Sequence, residues 1–306
     1  PIHRPGPLGR PSLGDLDGDG DLEIAMREDH ALTDGVHLVQ GDGSSLPGWP
    51  RVLGAQALSD VTLGDVDGDG TPEVVIAAAN ELHVLRRDGS ELPGFPVANP
   101  GDFWFQGPVV LADLDADGDT ELIVCTRDTV FADDAPVWVL DHTGANHPGW
   151  PRVLNASAYA PPAVADLDGD GRLEVVVVGG IDGVLPRLYA LKETGATLPG
   201  YPFVPLHVPA EQPSVADVDG DGRLEFVLDG ASPGKGYQAY EPNGSITDGW
   251  PLVDLNKHST GIQLNATDVD ADGLLELVCG FRAGPTGRST IFLLETAAPV
   301  TADAAP

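Results

Sequence analysis

The chain has 306 residues, with 48 Asp and Glu against 16 Lys and Arg, a formal charge of −32. That balance would repel a nucleic acid and excludes one as partner. No apolar run approaches the roughly 18 residues of a membrane span, and no segment sustains a helical period.

The elements repeat from the first residues onward. Asp-[Leu/Val]-Asp-[Gly/Ala]-Asp-Gly-x-x-Glu occurs at 15–23, 65–73, 113–121, 166–174, 217–225 and 268–276, at intervals of 48 to 53 residues. Acids at positions one, three, five and nine make 24 loop carboxylates, half of all the acids in the chain. Periods near 50 mark arrays such as propellers rather than two unrelated domains. Repeat two shows the unit most clearly. Val61–Val66 reads as a first strand, Glu73–Ala78 as a β-branched second strand and Leu82–Arg86 as an alternating third strand. Asp88-Gly-Ser is a turn signal, and Leu92-Pro-Gly-Phe-Pro-Val leads to a fourth, outer strand where proline is tolerated. The same Gly-aromatic-Pro element recurs at Trp49, Phe95, Trp150, Tyr201 and Trp250, and its aromatic is expected to pack between adjacent units. Four short strands per unit describe a propeller blade.

The expected fold is therefore all-β: a six-bladed β-propeller of four-stranded antiparallel blades over residues 1–296. Pro1 stands where an outer-strand element ends, 14 residues before Asp15, and no such element follows Ile291–Leu294. The ring is thus expected to close by an N-terminal strand near Ile2, with 297–306 as a flexible tail or linker. Strand exchange between copies is the competing arrangement. Cys125 and Cys279 occupy equivalent places in repeats three and six, opposite each other in such a ring, and are expected as buried free thiols.

Alternate acids followed by Gly set several carboxylates around one point. The candidate ligands are Asp15, Asp17, Asp19, Asp21 and Glu23; Asp65, Asp67, Asp69, Thr71 and Glu73; Asp113, Asp115, Asp117, Asp119 and Glu121. In the second half they are Asp166, Asp168, Asp170, Arg172 and Glu174; Asp217, Asp219, Asp221, Arg223 and Glu225; Asp268, Asp270, Asp272, Leu274 and Glu276. Position seven of each loop would contribute its backbone carbonyl. Hard oxygen donors without His or Cys favour calcium, about one ion per repeat and six in all. An EF-hand needs Glu at position twelve, whereas Met26, Ile76, Val124, Val177, Leu228 and Cys279 stand there.

These loops resemble those of the FG-GAP or VCBS repeat family, which includes the β-propeller of integrin α subunits. The family's loop, Asp-x-Asp-x-Asp-Gly-x-x-Asp, lies between the first and second strands of a blade. Position nine here is Glu in all six copies, and six blades differ from the seven of integrins. The resemblance implies an extracellular, secreted or cell-surface calcium-binding module for recognition or adhesion. It would take a protein or glycan on the face opposite the calcium loops, within a larger surface or filamentous assembly.

That face would be built from the variable segments Arg27–Gly35, Arg127–Pro136, Gly180–Pro186, Asp229–Tyr237 and Phe281–Ser289. Phe103, Trp104 and Phe105, with Tyr159 and His258 at similar places, are candidate ligand contacts. The competing reading is that they fill the central channel. Gly230-Ala-Ser-Pro-Gly234 fits a nucleophile-elbow pattern, but Pro233 and Gly234 begin no helix. The chain is expected not to be an enzyme. A lectin, or the propeller of a secreted carbohydrate-active enzyme, is the alternative.

Overall fold

The computed structural model describes residues 9–28, 35–53, 59–100, 103–128, 135–154, 157–158, 160–180, 186–206, 212–229, 236–251, 258–259, 265–267, 269, 274–282 and 289–299. Every regular element among them is a β-strand, and the strands form antiparallel sheets, one per repeat. The chain divides into two compact units, residues 1–157 and 158–306.

The first unit holds three sheets in simple up-and-down order. Sheet one is β1 (Ser12–Gly14), β2 (Glu23–Glu28), β3 (Gly35–Val39) and β4 (Arg51–Val52); sheet two is β5 (Thr62–Gly64), β6 (Glu73–Ala78), β7 (Glu81–Leu85) and β8 (Val97–Ala98). Sheet three is β9 (Phe103–Ala112), β10 (Glu121–Asp128), β11 (Pro136–Leu140) and β12 (Arg152–Val153). Second and third strands are almost wholly buried, because β-branched and Leu residues cover both of their faces. The fourth strands are two residues long, and both residues of β4 and of β12 are exposed, as edge strands tolerate.

Hydrophobic cores lie between neighbouring sheets. Leu16, Val36, Leu38 and Trp49 of repeat one pack with Val74, Ile76 and Leu85 of repeat two. Val75, Leu82, Val84 and Phe95 of repeat two pack with Leu122, Val124, Trp138 and Leu140 of repeat three. The Gly-aromatic-Pro aromatics Trp49 and Phe95 thus fill the seams, as the sequence suggests. Their bonds to Pro50 and Pro96 are cis, as are those at Trp150, Tyr201 and Trp250. Each seam also has polar stitches. Trp49 Nε1 donates to Arg87 O at 2.7 Å, Ser12 Oγ to Val61 O at 2.5 Å and Thr62 Oγ1 to Val109 O at 2.8 Å. Gly48 (φ +90°) and Gly94 (φ +99°) bring their backbones against the next repeat's turn, where a Cβ would collide with the carbonyl oxygens of Asp88 and Thr143.

β13 (Ser157–Ala158) spans the division between the units and joins β14 (Ala163–Ala165), β15 (Glu174–Gly180) and β16 (Arg187–Leu191) in the four-stranded sheet four. β17 (Ser214–Ala216), β18 (Glu225–Asp229) and β19 (Tyr237–Tyr240) form sheet five. Ala163, Leu167, Val176, Val178 and Leu188 pack against Phe226, Leu228 and Tyr240, with Tyr201 against the same cluster. Sheet six comprises β20 (His258–Ser259), β21 (Asn265–Thr267), β22 (Leu274–Arg282) and β23 (Ser289–Pro299). β23 runs three residues into the segment expected as a tail, pairing Pro299 with Leu274. The expected closing strand near Ile2 lies outside the described residues.

Candidate metal centres

The acid loops connect first to second strands, where the sequence places them. A common hydrogen-bond scaffold shapes them. The position-nine Glu, which opens the second strand in the first five repeats, accepts from the position-two amide: Leu16 to Glu23, Val66 to Glu73, Leu114 to Glu121, Leu167 to Glu174, Val218 to Glu225 and Val269 to Glu276, at 2.6–2.9 Å. The position-one Asp accepts from the position-six Gly amide, as Asp65 does from Gly70 at 2.8 Å and Asp217 from Gly222 at 3.0 Å. That Gly has positive φ in each of the first five loops, +91° at Gly20 and +87° at Gly70, so the turn asks for glycine. The position-five Asp accepts from the position-seven amide, as Asp69 does from Thr71 and Asp221 from Arg223, both at 2.8 Å.

This scaffold draws carboxylates together. Asp65, Asp67 and Glu73; Asp113, Asp115 and Glu121; Asp166, Asp168 and Glu174; and Asp217, Asp219 and Glu225 each bring ligand oxygens within 4.8 Å of one another. In the first loop Asp15, Asp17 and Asp19 do so, while Glu23 holds the Leu16 amide. Positions one, three and nine therefore converge in loops two to five, and position five is engaged with the backbone there. Asp268, Asp270 and Asp272 lie outside the described residues.

Each of these five loops buries one carboxylate oxygen that lacks a hydrogen-bond partner: Asp17 Oδ1, Asp65 Oδ1, Asp115 Oδ1, Glu174 Oε1 and Glu225 Oε1. A buried unpaired anionic oxygen is expensive, and a hard divalent cation is the partner such a donor set suits. The residues present therefore fit a metal. Burial pushes the carboxyls of Glu73, Glu121 and Glu174 up to about 7 and that of Glu225 to about 8. The backbone hydrogen bond opposes this rise, and repulsion from the loop aspartates adds to it.

Basic side chains reach three of the loops, a feature the sequence reading missed. Lys192 Nζ lies 2.6 Å from Asp168 Oδ2 and 3.1 Å from Asp170 Oδ2. Arg86 Nη2 is 3.4 Å from Asp67 Oδ2, and Arg87 Nη2 of repeat two is 3.8 Å from Asp17 Oδ2 of repeat one. The signal was a basic residue just beyond the third strand: Arg86 and Lys192 meet the loop of their own repeat, and Arg87 that of the repeat before.

The aromatic candidates separate. Phe103, Trp104 and Phe105 belong to β9, which runs past its counterparts and pairs with Asp128, Arg127 and Thr126. Phe105 is fully buried and meets Trp138 edge-on at 6.1 Å, so it is core and not a ligand contact. This corrects the expectation for Phe105, whose outward placement assumed a loop. Phe103 and Trp104 are half-buried, and the Arg127 guanidinium stands 5.6 Å from the Trp104 ring centre. Tyr159 and the Gly230–Gly234 pattern lie outside the described residues. His258 pairs with Arg282 at the end of sheet six. Cys125 is free and buried, its thiol pushed up to about 12 by burial.

The FG-GAP-like repeat family matches residues 15–76 and 65–124. No curated protein matches the chain. Among solved structures, the Vibrio cholerae biofilm matrix protein Bap1 superposes with a TM-score of 0.59 at 18% identity, covering 93% of this chain and 52% of that one. The chain thus spans about half of Bap1. BBS1N in complex with ARL6DN gives 0.60 at 15% identity, covering 95% and 82%. The Pseudomonas aeruginosa PilY1 C-terminal domain gives 0.56 at 12%, covering 95% and 85%.

Proposed function

Residues 15–124 place the chain among the FG-GAP-repeat β-propellers, and from that premise we propose that it is a calcium-loaded extracellular recognition or adhesion module that binds rather than catalyses. The observation that carries the calcium reading is the unpartnered buried carboxylate oxygen in each of five loops. Calcium supplies the positive charge and the missing coordination together, and the sixth loop, which shares the Glu276–Val269 scaffold bond, takes a sixth ion. Nine-residue loops at the surface, filled by millimolar calcium, suit an extracellular setting. The proposed propeller has six blades, one per repeat.

A matrix or adhesion role is favoured by the likeness to a biofilm matrix protein, and a protein ligand by the likeness to BBS1N in its complex with ARL6DN. The loop carboxylates hold cations and so are unavailable for acid–base chemistry.

The test is thermal melting and calcium titration of the intact chain. Excess chelator is expected to lower the melting temperature by many degrees, and titration to return about six ions. An unchanged melt in chelator would overturn the reading. Sedimentation is expected to show one species near 31.8 kDa; an open series would mean strand exchange instead.

A lectin is the second reading, favoured by half-buried Phe103 and Trp104 beside Arg127. A glycan array probed with calcium-loaded protein separates the two. Saturable binding lost in Trp104→Ala supports the lectin; a blank array supports a protein partner.

A further inference from the structure

One position has the same backbone place in five repeats, yet it is basic in two, acidic in two and neutral in one. It is the residue just beyond the third strand, and its amide donates to a carbonyl four residues on. The bonds are Gln40 to Ser44, Arg86 to Ser90, Asp141 to Ala145, Lys192 to Ala196 and Glu241 to Ser245, at 2.8–2.9 Å. Where the side chain is basic it reaches the acid loop of its own repeat. Arg86 approaches Asp67, and Lys192 contacts both Asp168 and Asp170. In repeat five Glu241 stands there instead. Asp141 is turned into its own turn, accepting from the Thr143 and Ala145 amides, and Gln40 carries no charge.

We propose that the charge at this position sets the cation affinity of the loop it faces, with Lys192 making loop 166–174 the weakest site among the five described loops. The inference rests on the calcium reading above. Asp168 belongs to the convergent set of loop four, so the Lys192 ammonium holds a carboxylate that a divalent ion needs. An arriving ion must displace that ammonium and then endure its repulsion across a few ångströms. Loop four nevertheless keeps its own orphan, Glu174 Oε1, fully buried and unpartnered. It is therefore a real site with a built-in competitor. As calcium rises, loop four fills last.

The experiment is calorimetric calcium titration of the full chain and of Lys192→Gln and Lys192→Arg, with melts in chelator and in saturating calcium. Gln is already accommodated at this place in repeat one. Lys192→Gln is expected to tighten one site at least tenfold without changing the number of sites. Lys192→Arg, which keeps the charge, is expected to retain the wild-type isotherm. In chelator Lys192→Gln should melt below wild type, because loop four loses its internal counterion; in saturating calcium the deficit should vanish. An ion pair with a purely structural role would lower both melts. A Lys192→Gln isotherm that superimposes on wild type overturns the proposal. A wild-type chain that takes up no calcium overturns the calcium reading itself, a distinguishable failure.

Discussion

Glu225 is almost sealed from solvent, and one of its oxygens holds the Val218 amide while the other has no partner. A carboxyl in that position keeps its proton well above the ordinary range, near 8, and Glu73, Glu121 and Glu174 do so near 7. The unfolded chain releases the same protons near 4.5. Between about pH 4.5 and 8 the cation-free native state therefore binds more protons than the unfolded state. Its stability from these groups is complete below 4.5 and is lost as pH rises through 7 to 8. Calorimetry in chelator is expected to show the melting temperature falling from pH 5 to pH 8.5. Calcium competes with those protons, so its stabilising increment should be larger at pH 8 than at pH 5. A flat pH profile in chelator would contradict this. The converging acids were legible in the sequence because all of them fall within nine consecutive residues. Lys192 was not, since 24 residues separate it from Asp168 and only the third strand's register joins them. Nor could a pattern of acids tell which oxygen would find an amide and which would be left alone.

At the scale of the element, the seams decide stability. Gly94 has φ +99° and faces the Thr143 carbonyl, so Gly94→Ala must force both an unfavourable backbone and a clash. A loss of about 2–4 kcal/mol is expected in denaturant melts, in line with known strain and clash costs. Phe105→Ala removes a fully buried ring between sheets two and three and should cost about 3–5 kcal/mol, whereas Trp104→Ala, half-exposed, should cost far less. Equal losses would mean that Phe105 is not core. Second strands were readable to the residue: Glu73–Ala78 is a β-branched run and forms β6 over that span. Outer strands were not, because two paired residues such as Val97–Ala98 carry no periodicity. The extension of β9 was hidden for another reason. Phe103–Phe105 pairs with the far end of β10 across an irregularity in register between Ile123 and Cys125, and no local pattern announces that pairing.

For the molecule as a whole, the charge of −32 is not spread evenly, since half of the acids sit in the loops. Without cations their repulsion should be screened by simple salt, whose reach at 0.1 M is about 10 Å. In chelator, raising sodium chloride from low to about 1 M is expected to recover part of the lost melting temperature, but less than calcium does, since screening leaves the buried oxygens unpaired. No recovery with salt would show that coordination alone matters. The shared cores have a mechanical side too. In the first unit each core lies between two consecutive repeats, so each repeat is held mainly by its neighbours in the chain. Tension applied through the ends would then be resisted by one seam at a time. A ruptured repeat would pay out about 50 residues, on the order of 170 Å of extended chain, before the next seam takes the load. A pulled molecule would lengthen in near-equal steps, behaving as a shock absorber between whatever its two ends hold.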